Sequence, residues 1–391
     1  MRETNVLEAA FRVVTPMFLG GAKPDDRAEL RVSPIKAALR FWWRAITWRG
    51  IRSAQPANSA AIAELRRQEA ALFGSADGGQ SQVLLRIKRY GNVKVADKGS
   101  VLDNVVNRPG ARYLGYGVMV APTGQLTRSC VIRNAEFTLA VRSRRSIHHE
   151  VVNSLKLLVL LGGLGSRARK GYGSLTLIGL AGGDTKWEAP ATDDSFVSEL
   201  RSLLSAAAAL ADEPPFSAFS KESRVCLLLD GNDPLAVLDT YGRQMQRYRS
   251  WGKDGKVSKL HSEENFESDH AWAKGTRPKD FHPERVVFGL PHNYGQGSNL
   301  QVRPEHYDRR ASPLWFHVHD YGPRANPRYA GIATVLRAEF LPDSEPINAG
   351  RTPVTAKPDY GVIDKFFNGC VGHRDAKTTD KYFPAAREVF P

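Results

Sequence analysis

The pattern of hydrophobic and polar positions predicts short strands and amphipathic helices in alternation along the first half of the chain. Residues 5–14 alternate in part, as a strand does, and Thr15-Pro16 ends that strand because proline cannot donate to a ladder. Ser33 as N-cap and Pro34 at the first helical position predict a helix that runs to about residue 47. The pattern also predicts helices at 62–72 and 147–161, and strands at 83–88, 135–142 and 174–180.

This order of elements is that of the ferredoxin-like fold, which RNA-recognition domains also use. A similar order begins again with a strand at 224–229, a helix at 234–249, strands at 285–289, 313–319 and 332–340, and a short helix at 362–367. We therefore expect an α+β protein with two ferredoxin-like (RNA-recognition-motif-like) domains and long insertions. The expected divisions are an N-terminal domain at 1–185, a linker with a helix (196–211) at 186–222, and a C-terminal domain at 223–391 with a mobile loop at 250–283.

Charge narrows the class of partner. The chain has 391 residues, a formal net charge of +14 and an isoelectric point near 9.7. Such a surface favours a polyanion, because each phosphate contact releases condensed counterions. No apolar run approaches the roughly 20 residues that a membrane span needs, and the three separated cysteines and the first residues fit a cytoplasmic protein.

Two features concentrate cations in a way that suits RNA binding, and the first is one face of the helix at 33–47. At 100° per residue, three cations and an indole share the face opposite the apolar one. They are Lys36, Arg40, Trp43 and Arg44. The cations suit phosphate, and an exposed indole stacks on a base for roughly 1–3 kcal/mol. The alternative is that Trp43 packs between domains and the cations are merely solvated.

The second feature is a glycine-rich loop between the helix at 147–161 and the next strand. Its glycines are Gly162, Gly163, Gly165, Gly171 and Gly173. Glycine lets backbone come close to a partner, and the interleaved Arg167, Arg169 and Lys170 are suited to phosphate. A dinucleotide fingerprint is disfavoured, because that motif follows a strand and opens a helix. The remaining alternative is an ordinary helix-to-strand turn.

Two smaller basic groups are weaker candidates for RNA contact. Arg112 lies beside Tyr113 and Tyr116, although both tyrosines also suit partial burial. Arg309 and Arg310 precede a strand and are placed to clamp a backbone, or else are a solvated pair.

Several motifs resemble the RAMP superfamily, in particular the family of subunit one of the Cmr complexes, the CRISPR type III-B effectors. They are Thr15-Pro16-Met17-Phe18-Leu19-Gly20-Gly21-Ala22, Ser33 to Arg44, Arg169-Lys170-Gly171-Tyr172-Gly173-Ser174, residues 287–291 and residues 309–318. The resemblance implies two ferredoxin-like domains and no nuclease role. It implies guide RNA (crRNA) and target RNA as ligands, with the 3′ part of the guide or the guide–target duplex held in antiviral defence. The implied protein partners are other Cmr effector subunits, especially the backbone RAMP subunits.

The competing function is a metal-independent endoribonuclease that processes guide RNA, as some relatives in the superfamily do. His148, Lys170 and Tyr172 would then supply the general acid and base. A metal site at His317 and His319 is conceivable, but no cysteine or carboxylate spacing supports it. We expect a binding and assembly protein with no catalytic residue, no metal and no cofactor.

Overall fold

The structure is a computed structural model, and it describes most of the chain. The described residues are 4–21, 23, 27–102, 105–144, 148–182, 187–205, 213–249, 256–257, 260–261, 266–273, 282–294, 300–322, 326–342, 345–348, 353–355, 357–368 and 382–390. The helices are α1 (Val32–Ser53), α2 (Asn58–Phe73), α3 (Pro109–Leu114), α4 (His148–Leu161), α5 (Asp193–Leu204), α6 (Pro234–Arg249), α7 (Glu267–Ala273) and α8 (Gly361–Asn368). The first strands are β1 (Thr4–Val13), β2 (Leu84–Tyr90), β3 (Val95–Ala96), β4 (Cys130–Val131), β5 (Glu136–Arg144), β6 (Leu175–Ala181), β7 (Arg224–Gly231) and β8 (Lys256–Val257). The later strands are β9 (Leu260–His261), β10 (His292–Tyr294), β11 (Leu300–Pro304), β12 (Leu314–Asp320), β13 (Tyr329–Val335), β14 (Pro346–Asn348), β15 (Val354–Thr355) and β16 (Arg387–Phe390).

Two four-stranded antiparallel sheets repeat one strand order. The first is β2-β5-β1-β6 and the second is β12-β13-β7-β16. In each sheet the chain enters at an inner strand, crosses by a helix to the far edge, returns to the other inner strand, and crosses by a second helix to the near edge. The expectation of an α+β protein is confirmed. The smaller sheets β10-β11-β14-β15, β3-β4 and β8-β9 lie in the insertions.

The helices between the two sheets form a shared core. Leu155, Leu158 and Leu161 of α4 are all fully buried, because α4 contacts α1 and β6 on one side and β12 on the other. A helix that is apolar on every side is one that is buried on every side. On the far face of the second sheet, α6 and α8 pack through residues such as Tyr241 and Phe366. The resulting layers are sheet, helices, sheet, helices.

Some sequence predictions differ from the observed elements. Ser33 is not the N-cap: α1 begins at Val32 after Arg31, which makes no side-chain cap bond, and the helix continues to Ser53. The strand expected at 285–289 is wrong, because Glu284–Phe288 forms a 3₁₀ helix. The Arg285 backbone amide donates to buried Asp269 and is therefore not available to a strand ladder, and the Arg285 guanidinium donates to the same carboxylate. The strand expected at 332–340 is observed as β13, which begins at Tyr329 and ends at Val335.

The insertions are less predictable than the sheets. Much of the expected mobile loop at 250–283 lies outside the described residues, and its described part contains β8, β9 and α7. The helix expected at 196–211 is α5, with a Thr192–Ser195 capping box at its start. The described part of the chain contains no helix that is both long and apolar enough to cross a membrane.

Candidate nucleic-acid interface

A cleft of about 960 Å³ lies where the glycine-rich loop meets the second half of the chain. Six cationic side chains line it: Arg167, Arg169, Lys170, Arg249, Arg309 and Arg310. None of its described lining residues is an aspartate or a glutamate. We call these six side chains and the space they enclose the basic cleft. Five of the six were candidate RNA contacts in the sequence, and the fold brings those five together from two distant segments.

The geometry of the glycine-rich loop depends on a buried pair of hydroxyl groups, those of Thr15 and Ser174. The Thr15 Oγ1 donates to the Gly171 carbonyl oxygen at 2.6 Å and accepts from the Ser174 amide at 3.0 Å. The Ser174 Oγ also donates to the Gly171 carbonyl, at 3.0 Å, and accepts from the Val318 amide of β12. These bonds tie the end of β1, the loop and the second sheet into one unit beneath the basic cleft.

The glycines serve this packing rather than an approach to a ligand. At Gly173, with φ +65°, an added Cβ would lie 2.0 Å from the Leu164 carbonyl oxygen. At Gly165, with φ +87°, it would lie 2.5 Å from the Phe18 carbonyl oxygen. The remaining members, Gly162, Gly163 and Gly171, are similarly crowded by Trp42, by the 172–173 backbone, and by Leu238 with Phe316. The close approach is therefore to the protein itself: to backbone at Gly163, Gly165 and Gly173, and to buried side chains at Gly162 and Gly171.

Two of the arginines in the basic cleft are already engaged by the protein. Arg169 donates to the Ser312 carbonyl, and its guanidinium lies 4.5 Å from the Trp315 ring centroid and 5.3 Å from that of Phe41. Arg310 donates to the Phe340 carbonyl and lies over the Phe340 ring. Burial lowers the pKa of both groups, to about 10 for Arg169. Each contributes charge to the cleft but offers few unused donors.

Among the described residues, Lys170, Arg167 and Arg309 line the cleft without a side-chain hydrogen bond or ion pair. Burial, followed by repulsion from Arg249, Arg167 and Arg169, lowers the pKa of Lys170 to about 7. Arg167 is exposed and adopts a left-handed backbone conformation with φ +66°, a geometry that is uncommon outside glycine and recurs at functional sites. Arg309 is exposed at the rim. These side chains are the ones best placed to contact a phosphate.

The cationic face of α1 lies elsewhere. Only Pro34 and Ala38 of α1 line the cleft. Arg40 and Arg44 both pair with one buried carboxylate, that of Glu69 on α2, at 2.6 Å and 2.9 Å. Their charge is thus partly neutralised inside the protein. Lys36 is half-buried, and burial together with Arg40 lowers its pKa.

Trp43 is not an exposed indole, so the interpretation that it stacks on a base is wrong. Its side chain is 1% exposed, packs edge-on against Phe73, and donates through Nε1 to Glu150 at 2.5 Å. The packing partners come from α2 and α4, which cover the side of α1 that the periodicity left open. Trp43 is buried, as the alternative interpretation expected, but it packs among α1, α2 and α4 and not between domains, and Arg40 and Arg44 are paired with Glu69.

The Arg112 group is split between two places. Tyr113 and Tyr116 line the basic cleft, and Tyr116 is 65% exposed. Arg112 donates instead to the Val106 carbonyl within its own segment and is absent from the cleft lining. α3, on which Arg112 lies, packs against α6, with Asp239 accepting from the Gly110 and Ala111 amides.

Sequence reasoning missed Arg249, and it identified residues 287–291 as a family motif but not as part of the site, although Arg249 and Phe288 both line the cleft. Arg249 ends α6, and its guanidinium lies 4.8 Å from the Phe288 ring centroid. The signal for Arg249 was present, because basic residues cluster in the last turn of α6. That the Arg249 side chain faces the cleft could not be predicted from the sequence, since it depends on how α6 packs near the glycine-rich loop.

Most of the side chains considered for catalysis or for a metal site are buried. The Tyr172 hydroxyl is fully buried and donates to the Ala111 carbonyl at 2.8 Å, which removes it from any RNA in the cleft. The side chain of His148 lies outside the described residues. His317 and His319 are buried and bond to the carbonyls of Gly162 and Pro190. No group of three or more metal-ligating side chains occurs among the residues that the structure describes.

Comparison with known proteins finds a matching family model and solved structures with a similar fold. Residues 10–176 match the model of the RAMP superfamily. The crystal structure of apo Cmr1 from Pyrococcus furiosus is similar over 98% of both chains, with a TM-score of 0.55 and 19% identity. A chain of the type III-B Cmr-beta complex bound to cognate target RNA matches 92% of this chain and 98% of its own length, with a TM-score of 0.47 and 14% identity. No curated protein sequence matches.

The matched residues include α1, α3 and the glycine-rich loop, each of which contributes residues to the lining of the basic cleft. The resemblance seen in the motifs is thereby confirmed. Residues 10–176 match the model of the RAMP superfamily, within a chain whose fold is similar to that of Cmr1 from Pyrococcus furiosus.

Proposed function

We propose that the chain is a non-catalytic RNA-binding and assembly subunit of a CRISPR type III-B (Cmr) effector. The observation that carries the proposal is the basic cleft: six cations and no described acid, built on the glycine-rich loop of a RAMP domain. The similarity to Cmr1 in fold, and the target RNA named with the Cmr-beta complex, supply the setting. The RNA would be guide or target, and the protein partners would be other Cmr subunits, in particular the RAMP subunits of the backbone.

The common strand order of the two sheets supports an assignment of two ferredoxin-like units. In this assignment the first unit comprises β1, α1, β2, β5, α4 and β6, and the second comprises β7, α6, β12, β13, α8 and β16. The basic cleft then lies at the junction of the two units. Its role is positioning: the cations hold the 3′ part of the guide, or of the guide–target duplex, by its backbone, while base pairing reads the sequence.

We also propose that the protein does not cleave RNA, and the chemistry of the cleft supports this. Metal-independent RNA cleavage needs a general base and a general acid near the 2′ oxygen and the leaving oxygen. In the basic cleft, Lys170 and His292 are the described groups suited to proton transfer near neutral pH. The His292 ring is stacked on Tyr294, and Tyr172 is sealed below the cleft. The arginines bind phosphate without exchanging protons at neutral pH.

The experiment is binding of single-stranded RNA across a salt series, with cleavage monitored in the same samples. The variant Arg167→Ala/Lys170→Ala/Arg309→Ala removes three cations of the cleft. Its matched control is Lys36→Ala/Arg40→Ala/Arg44→Ala, which removes three cations of the α1 face. We expect the cleft variant to weaken binding and to flatten the plot of log K against log salt by about 0.7 per lost contact, and the control to leave that slope nearly unchanged.

Three results would contradict the proposal. RNA binding that is absent in the intact protein, or that does not depend on salt, removes the RNA-binding role. A slope that flattens only in the α1 variant moves the RNA to the other face. Cleavage that persists in chelator and disappears with Lys170→Ala restores the processing endoribonuclease.

A further inference from the structure

The basic cleft concentrates positive charge at one point instead of spreading it along a track. Lys170 interacts with Arg167, Arg169 and Arg249, and Arg169 interacts in turn with Arg310. These side chains come from the glycine-rich loop, from the end of α6 and from the segment before β12. Without a described acid among the lining residues, the repulsion is left for a ligand to relieve.

The donors at this point are matched to a compact anion. Arg169 and Arg310 are held by carbonyls and aromatic rings, so they form a fixed positive floor. Lys170 contributes three donors with no bond to another described residue, and Arg167 adds a guanidinium beside it. Tyr113, Tyr116 and Trp315 supply aromatic surface on the walls. The volume of about 960 Å³ lies within the range of small-ligand pockets, large enough for a nucleotide and its phosphate.

We propose that the basic cleft is a receptor for a terminal phosphate, a phosphomonoester dianion at one end of an RNA strand, with Lys170 as its central contact. The inference rests on the proposed RNA-binding function and specifies the chemical group that the cleft prefers. A phosphomonoester carries a charge of about −1.5 to −2 at pH 7, whereas an internal phosphodiester carries one negative charge. A dianion places up to two negative charges on one phosphate group, and the cations of the cleft are grouped around one ammonium, that of Lys170. The charge-assisted hydrogen bonds to this phosphate are therefore stronger than those to a phosphodiester.

Because Lys170 titrates near neutral pH, we expect the affinity for a terminal phosphate to depend on pH. The charged and titratable groups facing Lys170 across the cleft are Arg167, Arg169, Arg249, Arg309, Arg310 and His292, together with Tyr113 and Tyr116. In the free protein Lys170 is about half protonated at neutral pH. A bound dianion favours the ammonium, so binding takes up a proton above pH 7 and the affinity falls as the pH rises further. Below about pH 6 the phosphate itself becomes a monoanion and the preference falls again.

The test uses one short RNA in three forms: with hydroxyls at both ends, with a 5′-phosphate, and with a 3′-phosphate. Their affinities are measured for the intact protein, for Lys170→Gln, for Lys170→Arg and for the control Arg66→Ala, an exposed cation of α2 outside the cleft. We expect one phosphate-ended RNA to bind about tenfold more tightly than the hydroxyl-ended RNA. This preference disappears in Lys170→Gln and is kept in Arg66→Ala. In Lys170→Arg it is kept but no longer weakens between pH 7 and pH 9.

Nucleotide competition supplies a measurement that needs no variant. Uridine 3′-monophosphate and uridine 5′-monophosphate are each tested against uridine for displacement of the hydroxyl-ended RNA. Displacement by a monophosphate but not by the nucleoside supports the inference, and the form that displaces identifies the end.

The inference and the proposed function fail in different ways. If the three RNAs bind the intact protein equally, and the binding depends on salt and on the cleft cations, the RNA-binding function stands and the preference for a terminal phosphate is overturned. If no RNA binds in a salt-dependent way, the proposed function fails first, whatever the monophosphates do.

Discussion

Arg169 and Arg309 both line the basic cleft, but only Arg309 has a guanidinium that the fold leaves exposed. We expect Arg309→Ala to reduce the salt dependence of RNA binding by about one contact with no change in the free energy of unfolding. We expect Arg169→Ala to lower the free energy of unfolding by about 1–3 kcal/mol, because it leaves the Ser312 carbonyl without its donor and removes the guanidinium that lies over the Phe41 and Trp315 rings. Urea titration and RNA titration of the same two variants separate the roles. Equal stability of the two variants would contradict the structural role of Arg169.

His317 couples the stability of the loop to pH. Its Nδ1 donates to the Gly162 carbonyl at 2.7 Å, and burial, then repulsion from His319, lowers its pKa to about 3. The unfolded chain binds a proton near pH 6.5, whereas the folded chain does not, so stability is full above pH 6.5 and is lost as the pH falls toward 3. We expect a loss of about 2 kcal/mol between pH 7 and pH 5 from this residue.

The measurement is urea unfolding at several pH values for the intact chain and for His317→Gln, which cannot titrate. The control is His149→Gln, an exposed position on α4. His317→Gln should flatten the dependence on pH, and His149→Gln should keep it. A variant of His317 that retains the full slope would show that another group is responsible.

At the scale of elements, the glycine-rich loop is the one whose sequence can be tested most directly. Gly173 has φ +65°, and a Cβ there would lie 2.0 Å from the Leu164 carbonyl oxygen. We expect Gly173→Ala to lower the free energy of unfolding by at least about 2 kcal/mol, through strain and overlap together. Gly50 of α1 is the matched control, because an added Cβ meets no atom within 4 Å. Gly50→Ala should raise the stability by up to about 1 kcal/mol, since alanine is the better helix former. Thermal unfolding of both variants decides, and two variants of equal stability would contradict the packing role of the loop.

The same scale shows what the sequence predicts and where it stops. Alternation along β1 follows its one buried side, so this strand and its core face were predictable. The period of α1 predicted the helix and its first buried side, which contains Ile35, Leu39 and Trp42, but not the second side that buries Trp43. The partners of Arg40 and Trp43 were not, because Glu69 and Glu150 reach α1 from other helices. A cationic stripe on a helix looks the same in sequence whether solvent or a second helix covers it. The cleft was predictable as two basic motifs, and only the layering of the chain showed that they form one site.

At the scale of the whole molecule, the second sheet is buried on both faces. Phe316 of β12 stacks on Tyr241 of α6 on one face, while Trp315 packs against Trp42 of α1 on the other. The Trp42 ring also lies over Phe219, which precedes β7. The helix layer thus belongs equally to both halves, and neither half has a core that closes by itself.

This arrangement predicts that the divisions at residues 185 and 223 do not separate independent folding units. A fragment of residues 1–185 would expose the faces of α1 and α4 that pack against β12, an apolar surface far larger than soluble monomers usually show. We expect fragments 1–185 and 223–391 each to bind a hydrophobic dye and to lack a cooperative unfolding transition, whereas the intact chain unfolds in one transition by near- and far-ultraviolet circular dichroism. Mixing the fragments should restore the near-ultraviolet signal, because each supplies the surface that the other lacks. A cooperative transition of fragment 1–185 without dye binding would show instead that its core is closed. The basic cleft would then be an interface between two separate domains, and its shape would depend on how they are linked.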